Sequence, residues 1–251
     1  GPGNVLIGKD AGVAMTTGDY NIAIGESAAL AMVGDSNYNI AIGKNALSTE
    51  DGGADECIAI GHNALLTQDH VDCKNLAIGM NAGKLITDGT QNVLIGHEAG
   101  MTVTDVDDNT AVGYQAWRLG TGANNTIFGS KAGLAVAGGS GNVVVGAAAF
   151  LSADNDEDDN TAIGYGALYS LNNDASDGNV AVGKFAGRYY NDGGSNTALA
   201  QAANCVLIGN LARTSRDDAD NQIVIGYNAL GIGNNSVALG DTNISSIKGQ
   251  V

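Results

Sequence analysis

The chain has 251 residues, of which 38 are Gly, 27 are Asn and 1 is Pro, with only 5% aromatic and 15% charged residues. No Gly-X-Y period accompanies the glycine, which excludes a collagen helix; a 44% hydrophobic content argues against a disordered linker; and so much Gly and Asn breaks helices, leaving many short strands joined by turns. The net charge of −16, from 11 Lys+Arg against 27 Asp+Glu, repels nucleic-acid phosphate and anionic membrane surfaces alike, and no apolar run approaches the ~18 residues of a membrane span, so neither nucleic acid nor membrane insertion is expected.

In chain order, Gly1-Pro2-Gly3 reads as a protease-cleavage remnant, and a repeat begins at once. Its unit is Asn, three apolar residues, Gly, two variable residues and Ala. Clear copies start at Asn4, Asn21, Asn39, Asn75, Asn92, Asn109, Asn125, Asn142, Asn160 and Asn179. Weaker copies, in which the Asn or the Gly is replaced, start at Cys57, Asn196, Cys205, Gln222 and Ser236, giving 15 in all. From Gly8 to Gly183 the marker glycines advance 175 residues in ten steps, a mean of 17.5. Residues 4–243 are therefore expected to form one all-β parallel solenoid of about 15 coils with a period of 17–18 residues. The stretch 196–209 is irregular: either a compressed coil lies there, or the copy at Asn196 is a loop and one repeat spans 26 residues. Residues 244–251 read as a connector toward a further domain.

The columns of the repeat carry physical meaning. The residue before the Gly is always apolar, and the residue three before it is β-branched in every copy except Leu76. These two positions share one strand face, which is expected to be the stacked core. The position between them points the other way and is Ala in nine copies, such as Ala23, Ala41 and Ala162. A strand apolar on both faces needs cover on both, from another strand of the same coil or from another subunit; two identical chains in a parallel homotrimer would supply it along the whole length. The Gly is expected to be a bend with φ > 0 or no room for Cβ. The Asn tolerates left-handed geometry and can stack as a hydrogen-bonded ladder, marked by Asn21, Gly25, Asn39, Gly43, Asn75, Gly79, Asn160 and Gly164. Cys57 and Cys205 occupy that Asn column and read as small buried substitutes; with Cys73 they suggest no paired framework.

Segments such as Asn21-Ile-Ala-Ile-Gly-Glu-Ser-Ala28 and Asn160-Thr-Ala-Ile-Gly-Tyr-Gly-Ala167 resemble the head repeats of trimeric autotransporter adhesins (YadA-like) and similar repeats in bacteriophage tail fibres. The resemblance covers nearly the whole chain. It implies a left-handed parallel β-roll trimerised along its length, borne on a virion tail fibre or, alternatively, on a bacterial cell surface. Adhesin-head repeats are shorter; only the 14-residue step from Gly226 to Gly240 is comparable, so the longer loops favour the fibre branch. Ser236–Asp241 followed by Ile244–Val251 resembles the segment preceding the intramolecular chaperone domain of tail fibres and tailspikes.

No catalytic constellation stands out, and the expected role is structural and adhesive, without catalysis, through a host surface glycan or protein receptor. A polysaccharide-degrading tailspike is the alternative from a different class. Sugars stack on exposed rings, which directs attention to Tyr114, Tyr165, Tyr169, Tyr189, Tyr190 and Tyr227, with Arg118 and Arg188 beside them as hydrogen-bond donors. Trp117 falls in a column of Leu and Phe and is expected in the core. Asp154, Asp156, Asp158 and Asp159 form the densest acidic loop and offer hard oxygen ligands for Ca2+, although the nonapeptide Ca2+ repeat is missing. A solvated acidic edge that keeps a fibre soluble is the favoured reading of these loops, and no cofactor is expected.

Overall fold

A computed structural model describes residues 1–49, 53–70, 72–152, 156–190 and 197–244. The chain is an all-β parallel solenoid. Its strands are β1 (Val5–Ile7), β2 (Ile22–Ile24), β3 (Ile40–Ile42), β4 (Ile58–Ile60), β5 (Leu76–Ile78), β6 (Val93–Ile95), β7 (Thr110–Val112), β8 (Thr126–Phe128), β9 (Val143–Val145), β10 (Thr161–Ile163), β11 (Val180–Val182), β12 (Ala202–Ala203), β13 (Val206–Ile208), β14 (Ala219–Asp220), β15 (Gln222–Ile225) and β16 (Ser236–Leu239). All but β12 and β14 form one 14-stranded parallel sheet in chain order, and β12 pairs with β14 separately. Equivalent repeat positions stand in register throughout, as in Ile22↔Ile40 and Thr161↔Val180. The 14 strands enclose about 13 turns, and at about 4.8 Å per strand spacing the sheet is roughly 60 Å long. No helix among the described residues is long and apolar enough to cross a membrane.

The strand count is one short of the 15 sequence copies because the copy beginning at Asn196 contributes no strand to this sheet. Val180 in β11 pairs directly with Val206 in β13, so a single 26-residue coil carries the chain from Asn179 to Cys205. Between them, Tyr189 and Ala198 form an antiparallel bridge and Tyr190 bridges Thr214. Asn196 itself lies outside the described residues.

The two strand faces are the reverse of the sequence expectation. The small middle residue points inward: Ala23, Ala41, Ala59, Ala77, Ala111, Ala162 and Ala181 are fully buried. The β-branched and apolar columns on either side face out. Ile22 and Ile24 are half-buried, and Ile7, Phe128, Val145, Ile163, Ile208 and Ile225 are more than a third exposed. The coil is narrow, and its interior is filled from the corner opposite the strand. Leu47, Leu65, Trp117, Phe150 and Leu168, each four residues after a marker Gly, are fully buried, in coils whose inward strand residue is Ala except at Phe150, where it is Val144. Where the strand brings a large residue inward, the corner is often Gly instead. A Cβ on Gly100 would lie 2.8 Å from Leu94, and one on Gly133 would lie 2.9 Å from Ile127. Trp117 is in the core as expected.

Each coil turns by left-handed residues at fixed positions. In the coil of β3 these are Tyr38 (φ 59°), Gly43 (φ 129°), Asn45 (φ 56°) and Leu47 (φ 49°). The marker Gly is obligatory for two reasons: its φ is closed to L-residues, and a Cβ on Gly43 would sit 2.6 Å from the carbonyl oxygen of Gly61 in the next coil. The left-handed residue at the strand start precedes the Asn, and the Asn itself does the bonding. Asn39 donates its backbone N–H (2.9 Å) and its Nδ2 (3.1 Å) to Asn21 Oδ1, and Nδ2 also donates to Ala54 O (2.6 Å) in the following coil. The same donation to the preceding Asn recurs at Asn92, Asn109, Asn125 and Asn142, reaches Asn160 through its backbone N–H, and repeats at Asn179. These side chains are buried, so the ladder satisfies polar groups that water cannot reach.

Cys57 and Cys73 form a disulfide between adjacent coils, against the expectation of no pairing. The two columns involved are two residues apart in the repeat, a relation visible only once the coils are stacked. Cys205 is free and buried in the Asn column, and burial raises its thiol pKa above the ordinary value.

Candidate functional site

Stacking places residues of one column about 4.8 Å apart in successive coils, so a side-chain cluster can be built from residues far apart in sequence. The corner after β10 carries Tyr165 and Tyr169, one and five residues past Gly164. The corner after β11 carries Lys184, Phe185 and Arg188, one, two and five residues past Gly183, followed by Tyr189. Tyr169 and Arg188 therefore share a column, and the Arg188 guanidinium lies 4.3 Å from the Tyr169 ring centroid. It is also 4.5 Å from the Phe185 centroid and 5.1 Å from that of Tyr189. Tyr165 meets Phe185 edge to face at 5.2 Å and is half exposed, and Lys184 Nζ stands 5.1 Å from the Phe185 centroid.

Phe185 is the hub, and the sequence reading missed it. It has a left-handed backbone (φ 59°), and its ring lies back over the preceding coil, where the equivalent residue is Gly166. A Cβ on Gly166 would lie 2.8 Å from the Phe185 ring. The signal in the sequence is a Gly in one coil beneath an aromatic residue in the next. Lys184, Phe185, Arg188 and Tyr189 lie on the 26-residue coil itself: Leu199 N–H donates to Arg188 O (3.1 Å), and Tyr190 packs against the core with its N–H on Thr197 O (3.1 Å).

Of the expected binding residues, the structure thus unites Tyr165, Tyr169, Arg188 and Tyr189, with Tyr190 behind them against the core. It does not bring Tyr114, Arg118 or Tyr227 to them. Tyr114 stacks on His97 at 5.5 Å in the same column. Arg118 is held by Glu98 at 2.9 Å. The Glu98 carboxyl is kept below the ordinary glutamate value first by the Gln115 hydrogen bond (2.8 Å), with the Arg118 charge adding to it, against an opposing desolvation that outweighs the Arg118 charge alone. Tyr227 is exposed on the corner after β15, near the C-terminal end of the sheet. The Gly-plus-one column is outward-facing, as Tyr114, Tyr165 and Tyr227 show.

The acidic loops form a second ladder, two residues before the Asn column. Asp19 N–H donates to Asn37 Oδ1 (3.0 Å), Asn37 N–H to Asp55 Oδ1 (2.6 Å), Thr90 N–H to Asp107 Oδ1 (2.7 Å), Ser140 N–H to Asp158 Oδ1 (2.7 Å) and Asp158 N–H to Asp177 Oδ1 (2.9 Å). Asp158 is therefore a backbone acceptor in this ladder. Asp156 and Asp159 are exposed, and Asp154 lies outside the described residues. Among the described residues no three His, Cys, Asp or Glu side chains converge to hold a metal ion.

The chain matches no protein-family model, no curated protein and no solved structure.

Proposed function

We propose that this chain is a non-catalytic segment of a homotrimeric fibre that adheres to a host surface glycan or receptor. The observation that carries the reading is the outward face of the 14-stranded sheet. Two continuous columns of Ile, Val, Leu and Thr, with Phe128 among them, run along it, half-buried to exposed in the single chain. A contiguous apolar surface of that length marks an interface. It is regular and in register, so the partner that fits it along its whole length is one with the same repeat, a further copy of this chain. Three copies around a common axis bury three such faces against one another. The side corners, with their aromatic cluster, remain outside and supply the adhesive surface. The motif resemblance favours a phage tail as the setting of such a fibre, with a bacterial adhesin head as the alternative.

Light scattering on the full chain in native buffer tests the assembly. Three chains of 25.1 kDa give about 75 kDa, and a particle of single-chain mass would overturn the trimer. Binding to a panel of immobilised surface polysaccharides, with no new reducing ends released, tests adhesion without catalysis.

A further inference from the structure

We infer that the cluster around Arg188 binds the carboxylate of an acidic saccharide; this deepens the glycan-binding reading above and rests on it. The chain carries 27 acidic residues against 11 Lys+Arg, and five of the described cations pair with a carboxylate: Lys9 with Asp10, Lys44 with Glu26, Lys74 with Asp72, Arg118 with Glu98 and Arg216 with Asp218. Arg188 is set apart from these by the rings around it. Its guanidinium is surrounded by rings, 4.3–5.1 Å from the centroids of Tyr169, Phe185 and Tyr189. Its side chain makes no hydrogen bond and no ion pair among the described residues. Lys184 converges on the same Phe185 ring, also with no carboxylate partner among the described residues. In so acidic a chain, this is a local concentration of positive charge whose countercharge is not supplied from the described residues.

Rings at 4.3–5.1 Å hold the half-buried guanidinium in place, and its N–H donors are the recognition surface. A planar fork of donors matches a planar carboxylate in two parallel hydrogen bonds. The rings flanking Arg188 have faces occupied by the cation, so they orient it and offer little stacking surface to a sugar. Tyr165 is the exception, edge-on to Phe185 and half exposed. A sugar acid carries both features in one residue: a C–H face for Tyr165 and a carboxylate for Arg188, with Lys184 adding long-range attraction. The chain's net charge of −16 repels densely charged polyanions, which favours a saccharide with isolated carboxylates.

The test uses the full chain and four probes: sialyllactose and trigalacturonate as carboxylated saccharides, lactose as the neutral one and sulfated lactose as the alternative anion. Calorimetry is expected to show at least one carboxylated probe binding tenfold or more tighter than lactose. Arg188→Gln should abolish that preference, and Arg188→Lys should weaken it at least tenfold, because an ammonium keeps the charge but loses the fork. Tyr165→Ala should weaken carboxylated and neutral probes together. Melting curves confirm folding, and Arg188→Lys, which keeps a cation against the rings, carries the test should Arg188→Gln unfold. Equal binding of neutral and carboxylated probes, unchanged in Arg188→Gln, would overturn the carboxylate site and leave glycan binding standing. A preference for the sulfated probe would also overturn it. Wild-type chain that binds no saccharide in either this set or the polysaccharide panel would overturn both readings.

Discussion

Cys57 and Cys73 are joined across adjacent coils at a rung where the asparagine ladder is interrupted. Cys57 N–H donates to Asn39 Oδ1 (2.9 Å), but Cys57 has no amide oxygen to pass the ladder on to Asn75. The Asn75 amide instead donates to Gln68 Oε1 (2.7 Å) and Gly89 O (2.6 Å). A covalent link spanning 16 residues replaces the missing rung. Opening it with Cys57→Ser and Cys73→Ser is expected to cost about 3 kcal/mol from loop entropy. Combining Cys57→Asn with Cys73→Ser should recover about 1 kcal/mol of that, because an amide oxygen is then placed to accept from Asn75 N–H. Urea unfolding measures both. Thiol titration of the denatured chain should find one reactive group before reduction and three after.

The corner glycines make a sharper prediction. Gly61 has φ +141°, and a Cβ there would lie 2.4 Å from Gly79 O, a backbone atom that cannot move without shifting a coil. Gly34 has φ +66° and nothing within 4 Å of its Cβ position. Gly61→Ala should therefore destabilise by about 3 kcal/mol or more, and Gly34→Ala by about 1 kcal/mol. Comparable melting curves for the two variants would contradict this account of the corner.

Asn142 tests the ladder. Its Oδ1 accepts from Asn160 N–H at 2.9 Å, and its Nδ2 donates to Asn125 Oδ1 (3.1 Å) and Glu157 O (2.8 Å). Asn142→Ala strands buried donors and acceptors on both neighbouring coils, at about 1–3 kcal/mol each. A total loss of about 4 kcal/mol is expected by denaturant titration. Hydrogen-exchange protection should fall at Asn160 N–H before it falls at remote coils such as that of β3, since each coil depends chiefly on its neighbours.

The period, the corner Gly, the buried Ala after it and the Asn ladder were all legible in the sequence, because each imposes one residue type on one column. The inward face of the strand was not. Both faces are apolar, and the usual guide, that larger residues lie inside, fails where the opposite corner already fills a narrow coil. Ala162 can be inside only because Leu168 occupies the space, and that relation runs across the coil. The Cys57–Cys73 pairing and the role of Phe185 escaped for a related reason: each depends on which columns lie side by side once the coils stack. The Asp ladder was hidden by its own composition, since an Asp that accepts a backbone N–H reads no differently from one in solvent.

Glu98 gives the pH dependence. Its carboxyl is held below the ordinary value by Gln115 and Arg118, so the folded state favours its ionised form. That contribution is fully present above the ordinary glutamate range and is lost as pH falls through the depressed folded value. Glu98→Gln should therefore be less stable than wild type at neutral pH, and the gap should close on acidification. A gap that stayed constant down to acid pH would remove the ion pair from the explanation.

The strand faces can be separated by two neighbouring substitutions in β10. Ala162 is fully buried and stands in register with Ala181 and Val144, whereas Ile163 is 38% exposed in the single chain. Ala162→Leu forces extra methyl groups into a filled coil and should cost about 1–3 kcal/mol in the chain's own stability. Ile163→Asp adds a charge to the outer face, which a lone coil tolerates with little loss. In a trimer the same charge meets its two copies near the common axis, unpaired and out of water. Light scattering should then show Ile163→Asp shifting the particle from about 75 kDa toward the single-chain mass of 25.1 kDa, with its circular dichroism unchanged. Ala162→Leu should lower the melting temperature at unchanged assembly. An Ile163→Asp chain that stays assembled with wild-type stability would place the subunit contact elsewhere than on this sheet.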